Sequence, residues 1–229
     1  MAADGPSCAV IGAGAWGTTL ATLLSKAAPV TLMARDEAHA ATLRADGENR
    51  HYLPGVPLDE HISVTADPAA LTAATELVVF AVPSRAMRST AASVAPALPG
   101  SAVLVSVAKG IEAGSLLRMT EVIASEVPGA AVRVAALSGP NLALEISRGL
   151  PAAAVVGAAH DEVSRRAVEI LGGRTFRLYR NQDIVGVELA GALKNIVAIV
   201  AGAVEELGAG DNAKAAITTR GLAEITRLG

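Results

Sequence analysis

The 229-residue sequence predicts an α/β protein, a doubly wound parallel sheet over residues 1–182 followed by an all-α segment over residues 183–229. Three observations predict it. Short apolar runs alternate with helical patterns as far as Tyr179, a glycine series follows the first run, and from Asp183 onward the period is helical throughout.

The first run, Cys8-Ala9-Val10-Ile11, stops at Gly12-Ala13-Gly14-Ala15-Trp16-Gly17 and passes into a helical pattern from Thr18 to Lys26. Val30 to Met33 reads as the second strand, with a polar break at Arg35-Asp36-Glu37 and a helix from Ala38 to Ala45, closing a βαβ unit. A loop rich in turn formers (46–57) leads to a weak strand at Ile62 to Thr65. Asp67-Pro68 then has the form of a helix N-cap with proline at the first position. Leu77 to Val82 is a continuous apolar run, the pattern of a parallel strand covered on both faces. It ends at Pro83-Ser84 and a helix follows from Arg85 to Ala95. Further strands are expected at Ala102 to Val107, ending at Lys109-Gly110, and at Val132 to Leu137, ending at Ser138-Gly139-Pro140-Asn141. Ala152 to Val156 and Thr175 to Tyr179 are the last two, separated by a helix from Asp161 to Leu171. Beyond Asp183, the residues Ile184, Val187, Leu189, Leu193, Ile196 and Val200 recur at helical spacing, and a second helix, Ala213 to Leu228, follows a glycine-rich turn.

Composition narrows the function. With 52% hydrophobic and 2% aromatic residues the chain is no disordered tail, and its core must rest on close approach of small aliphatic side chains. A formal net charge of -3 supplies no sequence-wide field for nucleic acid or an anionic membrane. The longest apolar stretches, Leu77 to Val82 and Asn195 to Val204, fall short of the roughly 18 residues of a membrane span. Met1 to Pro6 lacks the basic and apolar blocks of a signal peptide, so a cytoplasmic location is expected. Cys8 is the single cysteine and reads as a core filler. His39, His51, His61 and His160 show no paired ligand spacing, and no metal is expected.

In open α/β sheets ligands bind beyond the carboxyl ends of the strands. There the glycine series fits a dinucleotide. Gly12 permits the tight turn, Gly14 lets a pyrophosphate reach the backbone, and Gly17 allows close helix packing, while the helix N-terminus presents unpaired N–H groups to phosphate. The second strand ends at Arg35 then Asp36. An arginine accepts a 2′-phosphate and an acid binds the ribose 2′-hydroxyl, so NADPH is slightly favoured and NADH stays open. Lys109 closes a strand. Lys194 lies in an apolar helical run, where a lysine is costly unless an anion or a catalytic step uses it or its amine snorkels to the surface. Glu188, earlier on that helix, is either its partner or a solvated charge.

With these residues in place, the chain resembles the bacterial-type NAD(P)-dependent glycerol-3-phosphate dehydrogenases. The resemblance is carried by 11–18, Asn49 to Pro54, Val82-Pro83-Ser84, Lys109-Gly110, Ser138-Gly139-Pro140, Gly149-Leu150-Pro151, Gly186-Val187-Glu188 with Gly191 to Asn195, and Ile217 to Leu222. It implies a Rossmann-type first domain and reversible reduction of dihydroxyacetone phosphate to sn-glycerol 3-phosphate for phospholipid synthesis. By the same resemblance Lys194 is the proton donor and, with Lys109, Gly139 and Asn141, binds substrate. Gly12, Gly14, Ala15, Trp16, Gly17, Arg35, Lys109 and Ala143 contact NADP or NAD. A small phosphorylated substrate is the expected partner, without nucleic acid or membrane span, and a homodimer is compatible. Ala15 stands where the family often has serine, and Asn141 where Ser or Thr is common. The family continues past the point matching Gly229, through Gly-Asp and Ser-Arg-Asn-Arg segments, so the helical domain is expected to be incomplete and this chain alone weakly active or inactive. Two alternatives remain at this stage, a related reductase of another keto substrate and a dinucleotide-binding fragment without turnover.

Overall fold

The computed structural model describes residues 7–228; the reading of Met1 to Pro6 lies outside them. Among the described residues eight strands form one sheet in the order β3-β2-β1-β4-β5-β6-β7-β8. In chain order the elements are β1 (Cys8–Ile11), α1 (Ala15–Leu24), β2 (Val30–Met33), α2 (Glu37–Asp46), β3 (Ile62–Thr65), β4 (Leu77–Phe80), α3 (Met87–Val94), β5 (Val103–Ser106), α4 (Met119–Glu126) and β6 (Val134–Ser138). They continue as α5 (Ala143–Ser147), β7 (Ala152–Gly157), α6 (Asp161–Leu171), β8 (Phe176–Asn181), α7 (Ile184–Glu206) and α8 (Asp211–Leu228). The sheet is the doubly wound, Rossmann-type one expected, and its strand order reverses between β1 and β4, where such folds open their ligand crevice.

The alternating pleat divides the core. Cys8 and Val10 of β1 and Leu77 and Val79 of β4 face α1 and α6 through Leu20, Leu24, Ala167 and Leu171. Ala9, Ile11, Val78 and Phe80 face Met87, Ala91, Val122 and Ile123 of α3 and α4 on the other side. Both faces of these strands are covered, which is why they read as unbroken apolar runs. Asp67 caps a short 3-10 helix, Pro68–Ala73, by accepting the Ala69 N–H at 2.9 Å. This is the proline-led start expected, but only two 3-10 turns long.

Two expectations need correction. First, the sheet is not parallel throughout. β7 runs antiparallel to β6, with Ser138 opposite Val155 and Ala136 opposite Gly157, and β8 runs parallel to β7. The chain between β6 and β7 contains only the five-residue α5, which packs beside α1, and a parallel return needs a longer crossover. Second, Val132 lies in a 3-10 turn and β6 begins at Val134, while α4 and α5 fall where no helix was expected. The helix α7, 23 residues long, holds an 18-residue window of mean hydropathy 1.9, enough by length and composition alone to cross a membrane. Its apolar runs are interrupted by Glu188 and Lys194, and both side chains are tied to the α/β part, to Arg118 and to the Gly139 carbonyl.

The reversal at β7 decides where α7 goes. β8 delivers the chain to the level of Gly157, and a Cβ built on Gly157 would sit 3.0 Å from Val187. Four residues later Gly191 passes Ser138, where a Cβ would meet its Oγ at 2.5 Å. Four helical residues rise about 6 Å. The two-residue step from Ala136, opposite Gly157, to Ser138 climbs about 6.6 Å, so helix and strand keep pace toward the carboxyl edge. After the Leu207–Gly210 turn α8 packs back on α7, with Gly221 against Val197. Ile196 (58% exposed), Ile199 (72%) and Leu222 (64%) stay open to solvent.

Candidate active site

The glycine turn is built from backbone contacts that only glycine permits. Gly12 has φ +108°, and a Cβ there would lie 2.6 Å from the Ala81 carbonyl oxygen. A Cβ on Gly17 would strike the Gly12 carbonyl. Gly14, by contrast, faces open space and N-caps α1 with extended backbone and no side-chain cap. Behind the turn the buried Asn49 donates to the Ala13 carbonyl (3.0 Å) and to Thr18 Oγ1 (2.7 Å), fixing the loop from below. Sequence reasoning placed Asn49 only within a matching stretch and gave it no role; a buried asparagine amide must find partners, and these are they.

In front of the turn a cleft of about 530 Å³ is lined by Gly12, Gly14, Arg35, His39, Tyr52 and Arg85 among others. A nucleotide fits this chemistry. The open approach at Gly14, and the buried His39 Nε2, which has no protein partner, match a polar ligand lying along the crevice. At the end of β2, Asp36 accepts the His39 backbone N–H (2.9 Å) and the Arg35 Nε–H (3.0 Å); these bonds, led by the first, hold its carboxyl below the usual range. The acid is thus engaged as the N-cap of α2, while the Arg35 side chain is 84% exposed. His39, Tyr52 and Arg85 carried no cofactor role in the sequence reading. Their spacing has no signature, because helix α2, the loop after it and the 3-10 turn after β4 bring them together.

A second cleft of about 370 Å³ lies at the end of β6, lined by Ser138, Gly139, Val187, Gly191 and Lys194 among others. The Lys194 amine donates to the Gly139 carbonyl at 3.1 Å, so it does not run free into solvent. Lys109 follows β5, and its Cγ lies 3.9 Å from where a Cβ on Gly191 would stand. Burial first, and then the charge of Lys194, push the Lys109 amine down to about 8. Two amines and a backbone carbonyl therefore converge at the carboxyl edge, a place suited to an anionic or carbonyl oxygen.

The structure thus gathers Gly12, Gly14 and Arg35 at one cleft and Gly139 and Lys194 at the other, with Lys109 beside Lys194. Gly17 and Ala15 open α1 between the turn and its helix. Trp16 meets Phe176 edge-on, with ring centroids 6.0 Å apart. Ala143 lies at the start of α5, where its carbonyl accepts a bond from Thr19 Oγ1 (3.2 Å), joining α5 to the nucleotide helix. Asn141 has both amide atoms buried without a protein partner. Trp16, Lys109, Asn141 and Ala143 line neither cleft.

Comparison with known proteins agrees with this geometry. Residues 7–164 match the family model for the N-terminus of NAD-dependent glycerol-3-phosphate dehydrogenase, and residues 183–229 match that for its C-terminus. Glycerol-3-phosphate dehydrogenase [NAD(P)+] of Moorella thermoacetica is 49% identical over 97% of this chain and 66% of its own length. The protein of the same name from Corynebacterium glutamicum (strain R) is 46% identical over 97% and 68%. The crystal structure of glycerol-3-phosphate dehydrogenase from Coxiella burnetii superposes with a TM-score of 0.86 at 38% identity, covering 97% of this chain and 68% of that one. The chain therefore spans about two thirds of the length of these relatives. On both family models and on these identities, the chain belongs to the NAD-dependent glycerol-3-phosphate dehydrogenases, a family of oxidoreductases.

Proposed function

We propose that this chain binds NADPH or NADH in the Gly12–Gly17 crevice and carries, at the Lys109–Lys194 edge, the groups with which the enzyme reduces dihydroxyacetone phosphate, reversibly, to sn-glycerol 3-phosphate. The division into a dinucleotide-binding domain (1–182) and a helical substrate domain (183–229) belongs to this reading. The nearness of the Lys109 and Lys194 amines to each other, with Lys194 held by the Gly139 carbonyl, is the observation that carries it.

When bound, the nicotinamide supplies the hydride to the carbonyl carbon. The remaining work falls to the protein. As the carbonyl oxygen gains charge, the Lys194 ammonium gives it a proton and is left as the neutral amine, to be reprotonated from solvent. Lys109, in its charged form, steadies the same oxygen or the substrate phosphate, and the Asn141 amide offers a further donor. Trp16, Arg35 and the backbone of Ala15 and Ala143 hold the cofactor, with Gly12, Gly14 and Gly17 leaving it room. A phosphorylated substrate and a water-soluble cofactor suit a cytoplasmic setting and supply of glycerol phosphate to lipid synthesis. A homodimer is part of the same reading, checked by sedimentation velocity.

Calorimetry with NADPH and NADH tests the crevice, and cofactor oxidation on adding dihydroxyacetone phosphate tests the reaction. Lys194→Ala, made in an enzyme of the relatives' full length, is expected to lower kcat at least about a hundredfold with cofactor affinity unchanged. A loss under about tenfold removes the proton donor's role from Lys194. Nucleotide binding without turnover selects a binding module, and absence of nucleotide binding overturns the reading.

A further inference from the structure

The two lysines come from different elements, and their spacing needs a cause. Lys109 sits at the root of a loop that folds back on itself. Ile111 bridges Arg118 in antiparallel fashion, and the Glu112 N–H donates to the Leu117 carbonyl at 2.9 Å. The loop ends at Arg118, where α4 begins. Lys194 lies on α7, and α7 reaches this loop through one buried side chain.

That side chain is Glu188, whose residue is 8% exposed. Its carboxylate accepts the Thr120 N–H (2.9 Å), the Thr120 hydroxyl (2.6 Å) and the Arg118 guanidinium (2.7 Å). Arg118 is shared with Glu121 (2.7 Å), the other acid of the cluster. The first turn of α4 thus grips a carboxylate from a helix about seventy residues downstream, since Arg118 at its N-cap position makes no side-chain cap bond. Gly191, next along α7, rests on Ser138 and Lys109, and beyond it Lys194 meets the Gly139 carbonyl. A buried ion pair is weak evidence of stability, because an apolar pair packs as well; what directed bonds add is a fixed orientation.

We propose that Glu188 is a positioning residue. By bonding to Arg118 and Thr120 it sets the rotation of α7 about its axis, and so brings the Lys194 amine to the same space as Lys109. Its significance for catalysis rests on the function proposed above, but its test does not. Trace acylation of lysine amines across pH, read by mass spectrometry on the 229-residue chain, needs neither nucleotide nor turnover.

In the unaltered chain Lys109 is expected to label with a midpoint of about 8, with Lys194 as the charge facing it. Glu188→Ala should raise that midpoint by about one pH unit or more, as the amine regains water and loses its charged neighbour. A packing role alone would lower the melting temperature and leave the midpoint in place, which overturns the proposal. Glu188→Gln keeps an acceptor for the Thr120 N–H and loses the charge opposite Arg118. Its midpoint should fall between the other two, and if Glu188→Ala does not fold, this variant decides: a raised midpoint supports positioning and an unchanged one refutes it.

Discussion

At Gly12 and Gly14 the same residue type does opposite work, and two alanine substitutions separate the roles. A Cβ at position 12 meets the Ala81 carbonyl in a left-handed backbone, so Gly12→Ala must displace the turn. It should cost about 1–3 kcal/mol of stability and at least about tenfold in nucleotide affinity, as urea denaturation and calorimetry would measure. Position 14 opens on empty space. Gly14→Ala should keep the stability and lose affinity, because its methyl occupies the side from which phosphates approach. Equal loss of stability in both variants would contradict this division. These glycines were legible because spacing alone specifies them. Lys194 was legible as a charge in an apolar run, and so was Lys109 as a strand-ending cation. The unpartnered Nε2 of His39 was not, since nothing in its neighbourhood along the chain says what lies across the cleft.

Elements whose signals are local were read well. Asp183 is the case in point, since the helix begins directly after it and its carboxylate accepts the Gly186 N–H at 2.8 Å. Removing that cap by Asp183→Ala should destabilise the chain by about 1 kcal/mol in urea unfolding. No loss at all would show that α7 is held by its packing alone. The helix α4 escaped notice for the converse reason. Its N-cap residue is an arginine, and the carboxylate gripped by its first turn is Glu188, far along the chain. The direction of β7 was equally hidden. A short apolar strand carries no mark of which way it runs, and the length of the connection before it is the only clue.

For the molecule as a whole, one half-buried and one buried group give stability a pH dependence of opposite sign. The folded chain holds the Lys109 amine at about 8, below the ordinary 10.5 of an unfolded lysine. Between these values the unfolded state binds more protons, so stability rises with pH. Burial pushes the Cys8 thiol up to about 11 from 9, so above 9 the folded state binds the extra proton and stability falls. Urea midpoints should therefore climb from about pH 8 to 9, flatten to about 10.5 and then drop. In Lys109→Met the initial climb should vanish.

The turned-about β7 has a consequence for any attempt to rebuild this chain. Had it followed its predecessors, the segment after β8 would depart from the nucleotide side and carry residue 194 off with it. As it stands, the stretch of α7 between Glu188 and Lys194 acts as a phase setting: one residue inserted inside it would swivel Lys194 by about 100° relative to the anchored Glu188. Grafted loops belong at the Leu207–Gly210 bend, where added length leaves that angle untouched.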